Sequence, residues 1–173
     1  MIIGIDISQI AYEQTGVSDY LRGLVEELLR IDKSNEYVLF FSSLRRSLPK
    51  LSIQNPRVTI KKFKFPPTIL DFIWNRLHIL SIEKLIGDVD LFITSDWTEP
   101  PSSSKKATII YDLSVYKYPK EMAKKIVDVQ KRKLRWVRKE SDLIFCISES
   151  TKKDAMGILG IEENKLKVIY PGI

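Results

Sequence analysis

Several short runs of this chain are apolar or nearly so, without polar alternation: Leu91-Phe92-Ile93, Thr108-Ile109-Ile110 and Leu143 to Ile147. A strand with one wetted face alternates polar and apolar residues. An unbroken apolar run suits a strand covered on both faces, as parallel strands are when helices pack above and below them. Between such runs stand segments of helical period. Leu21, Leu24, Val25 and Leu28, for example, fall at i, i+3, i+4 and i+7. The alternation predicts strands at Ile2–Ile7, Tyr37–Ser42, Arg57–Phe63, Asp90–Thr94, Ala107–Tyr111, Asp142–Ile147 and Lys167–Tyr170. Helices are predicted at Ser18–Ile31, Ile69–Ile86, Lys120–Lys139 and Thr151–Leu159. Strands alternating with helices predict an α/β fold, a Rossmann-like doubly wound, mainly parallel sheet of about seven strands.

The punctuation agrees. Asp32-Lys33-Ser34-Asn35 ends the first helix, Pro66-Pro67 precedes the second, Gly87 closes it, and Gly160 follows the last as a C′ glycine. Thr151 and Asp154 have capping-box spacing. The 173 residues suit one domain, and 44% hydrophobic with 29% charged residues is ordinary for a globular one. Pro171-Gly172 directly after a strand reads as a domain boundary, so the chain is expected to be one domain of a longer protein. Met1 leads straight into a strand with no basic leader, and no apolar stretch reaches membrane-spanning length. A lone Cys146 within an apolar run reads as core packing and fits a reducing, cytoplasmic setting.

An open α/β sheet binds ligands beyond the carboxyl ends of its strands. After the first strand comes Thr15-Gly16-Val17-Ser18-Asp19-Tyr20. Gly16 lets the backbone approach a ligand, Ser18 is the candidate N-cap, and a helix N-terminus can hold an anion. One glycine makes neither a dinucleotide fingerprint nor a P-loop, so an ordinary βα turn is the competing reading. The fourth strand is followed by Ser95-Asp96-Trp97, the fifth by Tyr111-Asp112 and the sixth by Ser148-Glu149-Ser150. Singly, Asp112 and Ser150 read as turn caps, and Trp97 reads equally as cover for a sheet edge or a stacking surface. Together they predict one crevice.

The formal charge is +6. Lys117 to Lys139 holds ten basic residues against Glu121 and Asp128, a local +8, so the remainder carries −2. Within it Ala123, Val127, Gln130, Leu134 and Val137 form a seam at helical spacing, with Lys and Arg expected on the other faces. That helix reads either as a solvated outer helix or as a surface for anionic lipid. No nucleic-acid motif accompanies it, so no nucleic-acid partner is expected. His78, the only histidine, reads as a solvated or packed mid-helix residue. One His and one Cys do not make a transition-metal site, and no metal is expected.

Thr15 to Leu28 resembles the first loop and helix of the group 1 glycosyltransferases, the GT4-type retaining enzymes of GT-B fold. The likeness continues through Ile73-Trp74-Asn75-Arg76-Leu77, Gly87 to Phe92, Ala107 to Leu113, Tyr118-Pro119, Ile147 to Asp154, Gly160-Ile161 and Lys167 to Ile173. The resemblance implies an N-terminal, acceptor-side domain over residues 1–173, with a nucleotide-sugar-binding C-terminal domain outside the chain. It implies transfer from a nucleotide-diphosphate sugar with retention, without a cofactor or metal, in the cleft between the two domains. The acceptor would be a sugar or a lipid-linked one, at the inner face of the membrane if the basic helix meets anionic lipid. Tyr111 and Asp112 would be the catalytic candidates. Gly16, Val17, Ser18, Asp96, Trp97, Ser148 and Glu149 would bind substrate.

Two departures bear on these roles. The family usually carries His-Asp where this chain has Tyr111-Asp112, and a tyrosine offers no cationic donor at neutral pH. Thr15 and Ser18 stand where glycines are frequent, and Asp19 where arginine is common. Asp19 beside a diphosphate would be unfavourable, so its side chain is expected to face away. Two rival readings follow: a non-catalytic Rossmann-like module binding a sugar or partner protein, and an anionic-surface binder working through residues 120–139.

Overall fold

The computed structural model describes residues 1–52 and 55–172. Its strands are β1 (Ile2–Asp6), β2 (Glu36–Ser42), β3 (Val58–Phe63), β4 (Leu91–Thr94), β5 (Lys105–Ile110), β6 (Leu143–Cys146) and β7 (Leu166–Val168). They form one sheet in the order β3-β2-β1-β4-β5-β6-β7, with every pairing parallel. The order turns back between β1 and β4, which makes that junction the switch point. The α/β doubly wound sheet expected from the apolar runs is therefore the observed fold, and each predicted strand is present within two residues at either end. Ile173, at the end of the expected hinge, lies outside the described residues.

Both faces are covered except at the edge strand β3, whose Thr59 to Lys62 are exposed. Ile3, Ile5, Tyr37, Leu39, Phe41 and Ile109 pack on one side with Leu21, Val25 and Leu29 of α1 (Gly16–Ile31). Residues one step along the same strands point the other way. Phe40 and Phe92 join Trp74, Ile82 and Ile86, while Ile110, Ile144 and Cys146 join Leu134 and Val137 of α5 (Lys124–Glu140) and Ala155 and Leu159 of α6 (Glu149–Leu159). Period-two alternation thus sends apolar side chains into two cores from one strand. Burial pushes the Cys146 thiol up to about 11, as expected for a packing residue.

The predicted single helix Ile69–Ile86 is corrected. The chain there forms α2 (Pro67–Leu70), a π-helical stretch Asp71–Leu77, a break, and α3 (Glu83–Ile86). His78 and Leu80 take left-handed backbone angles, φ 54° and 63°. Tertiary contacts hold the break. The Trp74 indole donates to Leu80 O at 2.8 Å, and His78 stacks on Trp136 of α5 with ring centres 3.5 Å apart. His78 Nδ1 lies 2.8 Å from Trp74 O and Nε2 2.8 Å from Glu140 Oε1. The histidine is thus packed as expected, but it ends a helical segment instead of continuing one. α4 (Ser114–Lys117) is a short turn after β5.

The basic helix is also revised. Lys133 is buried, with its ammonium donating to the Ser95 carbonyl. Arg132 pairs with buried Asp71 at 2.7 Å. Two of the cations expected on outer faces are therefore internal structural groups. Ala123, expected in the seam, precedes the helix and is exposed.

Gly4 in β1 marks a close approach between layers. A Cβ there would lie 2.7 Å from the Phe92 ring and 3.0 Å from Ile86 Cδ1. Phe92 is fully buried and has no free space to yield. Gly4→Ala should lower stability by about 1–3 kcal/mol, the usual cost of overpacking a core, measured as a reduced urea midpoint at unchanged m-value.

Candidate functional site

The 3₁₀ turn Ser8–Ala11 carries the chain from β1 to α1. Thr15, not Ser18, caps the helix: its Oγ1 accepts the Ser18 amide at 3.2 Å. Ser18 lies inside the first turn, buried, and its hydroxyl donates to Ile10 O at 3.1 Å. That bond fixes the loop to the helix and turns the Ser18 side chain away from any ligand, so its hydroxyl is not at the site. The cap leaves the amides of Gly16 and Val17 at the helix's free amino end. A similar correction holds at α6, where the capping oxygen is Ser148 Oγ, which accepts the Thr151 amide at 3.1 Å.

Two cavities meet at this helix end. One, of about 940 Å³, is lined by Gly16, Val17, Asp19, Tyr20, Tyr111 and Asp112, with Gly23, Glu27, Ile147 and the stretch after β7 completing it. The other, of about 830 Å³, is lined by Gln9, Tyr12, Thr15, Val17, Asp96 and Trp97, with residues 43–46, 66–68, Lys125 and Ile126. Both volumes suit a small-molecule ligand. Val17 borders both.

Six of the nine candidate residues thus line the pair of cavities: Gly16, Val17, Tyr111 and Asp112 one, Asp96 and Trp97 the other, with Val17 common. Ser148 and Glu149 follow Ile147 but do not line either cavity, and Ser18 points inward. Asp19, expected to face away, lines the first cavity instead. The reason is helical geometry, because positions 16, 19, 20, 23 and 27 share one face of α1, opposite the buried stripe of Leu21, Val25 and Leu29.

Tyr111 is buried. Its hydroxyl lies 3.0 Å from Ser95 Oγ, and its ring meets Tyr20 edge-on at 5.5 Å. Burial pushes the phenol well above its ordinary pKa, so it stays neutral. Tyr20 in turn donates to Ile169 O at 3.0 Å, tying α1 to the exit of β7. Asp112 is exposed to the cavity, with Oδ1 accepting the Ser114 amide at 2.7 Å.

Asp96 is held from α5, where Gln130 Nε2 donates to its carbonyl at 3.0 Å and to Oδ1 at 3.1 Å. Burial raises its pKa, with Lys133 pulling the other way. Beneath it, burial likewise raises the Asp6 carboxyl and lowers the Lys133 ammonium. Farther down the sheet, Lys106 Nζ lies 3.0 Å from both Glu99 Oε1 and Glu140 Oε2. Among the described residues, no group of three or more His, Cys, Asp or Glu side chains is placed to hold a metal ion.

Residues 15–173 match the sequence profile of Glycosyltransferase Family 4. The chain belongs to that family. The likeness to the N-terminal domain of a group 1 enzyme, read from its loops, is thereby shown, and no curated protein matches the chain. In this family 4 domain the strand-end reading located the first cavity from Gly16 and Tyr111-Asp112. It overlooked Tyr12, Tyr20 and the Arg45-Arg46 pair. The last follows β2, the neighbour of β1 at the switch point, and the same strand-end rule applied there would have found it.

Thr15→Ala should lower stability by about 1 kcal/mol through loss of the cap. Ser18→Ala should cost about 1–3 kcal/mol, because it leaves the buried Ile10 carbonyl unpaired. Urea unfolding of both variants checks the assignment; no loss in Thr15→Ala would remove Thr15 as the cap.

Proposed function

We propose that this family 4 domain is the acceptor-side half of a retaining glycosyltransferase. It takes its sugar from a nucleotide-diphosphate donor and reacts in a cleft closed by a second Rossmann-like domain. The observation that carries the reading is the meeting of two ligand-sized cavities at Val17, at the amino end of α1. One partner on each side of that helix end brings donor and acceptor into contact, and proximity of this kind is a large part of group-transfer catalysis.

The first cavity takes the transferred sugar. Asp19, Glu27 and Asp112 line it without a cation. Carboxylates accept hydrogen bonds from sugar hydroxyls, and their charge favours the oxocarbenium-like character that develops as a glycosidic bond breaks. Asp112 is the group we assign to that role, while Tyr111 forms the wall behind it and Gly16 admits close approach. The leaving diphosphate meets the free amides of Gly16 and Val17, preorganised donors for growing negative charge. Three carboxylates nearby oppose a diphosphate, so its neutralising cations come from the second domain, and no metal is required. The isolated domain is accordingly inactive and binds nucleotide sugar weakly. In the second cavity Trp97 supplies a face for the acceptor, with Asp96 beside it, while Ser148 and Glu149 stand toward the domain junction.

Asp112→Asn keeps the acceptor atom for the Ser114 amide and removes the charge. In the two-domain enzyme it should lower kcat by about 10²-fold with little change in urea midpoint, and NMR of the product should show the donor's anomeric configuration. An unchanged kcat removes Asp112 from the chemistry, and an inverted product removes the retaining assignment.

A second reading, contact with an anionic membrane at the cytoplasmic face, has support of its own. Lys124, Lys125, Arg135, Arg138 and Lys139 of α5 are exposed, and Phe72, Leu77 and Ile79 are exposed on the neighbouring segment. No helix among the described residues is long and apolar enough to cross a membrane. Each cation near such a surface contributes about 1 kcal/mol, screened by salt. Co-sedimentation should favour phosphatidylserine over phosphatidylcholine vesicles and weaken at 0.5 M salt (about a 4–5 Å screening length); equal binding to both lipids overturns this reading.

A further inference from the structure

The two cavities differ in the sign of their charge. Arg45, Arg46 and Lys125 line the second, against one carboxylate, Asp96. Across Val17, the first carries Asp19, Glu27 and Asp112 and no cation. The field therefore reverses across one helix end. Among the described residues, no carboxylate forms an ion pair with Arg45, Arg46 or Lys125.

Arg46 is already oriented. Its Nη1 donates to Ala11 O at 3.2 Å, its guanidinium carbon stands 4.6 Å from the centre of the Tyr12 ring, and its amide donates to Ser43 Oγ at 3.0 Å. A guanidinium held on an aromatic face keeps its planar fork in place for an oxyanion, and little rotamer entropy is lost on binding. Arg45 and Lys125 are exposed and free of described partners.

We infer that the second cavity binds the phosphate group of a phosphate-bearing acceptor through Arg45, Arg46 and Lys125, with Trp97 offering a face to the group that carries the phosphate. The inference rests on the reading of that cavity as the acceptor side. Three cations against an ionised Asp96 leave a formal +2, which a dianionic phosphate balances and a single carboxylate does not. Placing the acceptor's charge here keeps it away from the carboxylates of the first cavity, where it would be repelled. The phosphate belongs either to a soluble sugar phosphate or to a lipid phosphate. Leu44 and Ile126, both exposed in the cavity lining, offer an apolar track to the latter.

The test is calorimetric titration of this chain with glucose, glucose 1-phosphate and farnesyl monophosphate in low salt. At least one phosphate should bind and glucose should not. Arg45→Glu/Lys125→Glu, which touches only exposed side chains, should weaken phosphate binding at least tenfold. Arg46→Ala should do the same if its fold is intact by circular dichroism. Lys153→Glu, on the exposed face of α6, controls for net charge and should retain binding.

Similar affinity for the two phosphates assigns a soluble acceptor, and tenfold tighter farnesyl monophosphate assigns a lipid-linked one. Failure of both phosphates to bind, or equal binding in Arg45→Glu/Lys125→Glu, overturns the inference. Donor turnover by the two-domain enzyme with water as acceptor tests the transferase reading separately. Turnover without phosphate binding sinks this inference alone. Phosphate binding without turnover sinks the transferase reading and leaves the phosphate site standing.

Discussion

Under the exit of β4 stands an ammonium group with almost no access to water. Lys133 reaches from α5 to the backbone carbonyl of Ser95, at the strand end where Asp96 and Trp97 begin. Burying a charge this deeply is costly unless it is paired and hydrogen-bonded, and Asp6, Asp96 and Glu99 supply the compensating field. One side chain thereby links α5 to the end of β4, beside the switch point between β1 and β4. Ser95 passes the constraint on: its hydroxyl lies 3.0 Å from that of Tyr111, which walls the first cavity. Gln130, one turn before Lys133, holds Asp96 in the second.

The cavity walls are loops and one helix end. The amino end of α1 is fixed on three sides: Thr15 caps it, Ser18 ties it to the preceding turn, and Tyr20 ties it to the exit of β7. The two cavities beside that end differ in the charges of their linings. Carboxylates line one side of the helix end, and Arg45, Arg46 and Lys125 line the other. The proposed transferase and phosphate-site readings both draw on this contrast, through the same Coulombic term.

Much of this is legible in the sequence alone. The unbroken apolar runs required strands covered on both faces, and the strand ends pointed to Gly16 and to Tyr111-Asp112. What was missed has a common cause. Lys133 and Arg132 looked like solvent-facing members of a basic run, since nothing in the local pattern says that Ser95 O and Asp71 lie across from them. The helix through His78 looked continuous, because the ring that stacks on His78 belongs to Trp136, far along the chain. Ser18 passed for a cap, though its neighbour Thr15 had the better geometry and Ile10 took the serine's hydroxyl. Arg45 and Arg46 were legible by the same strand-end rule, since they follow the predicted strand Tyr37–Ser42; sheet order adds only that this strand lies beside β1.

By itself, the sequence determined the seven strands, the two-faced burial of the central ones and the family. These follow from local periodicity and turn chemistry, which act over a few residues. Only the tertiary structure decided the strand order, which cations are buried and which are free, where the long helix breaks, and the opposite charges of the two cavities. Each of these depends on residues tens of positions apart meeting in a low-dielectric interior, and there the presence of a partner, not the residue type, decides whether a charge holds the fold or faces a ligand.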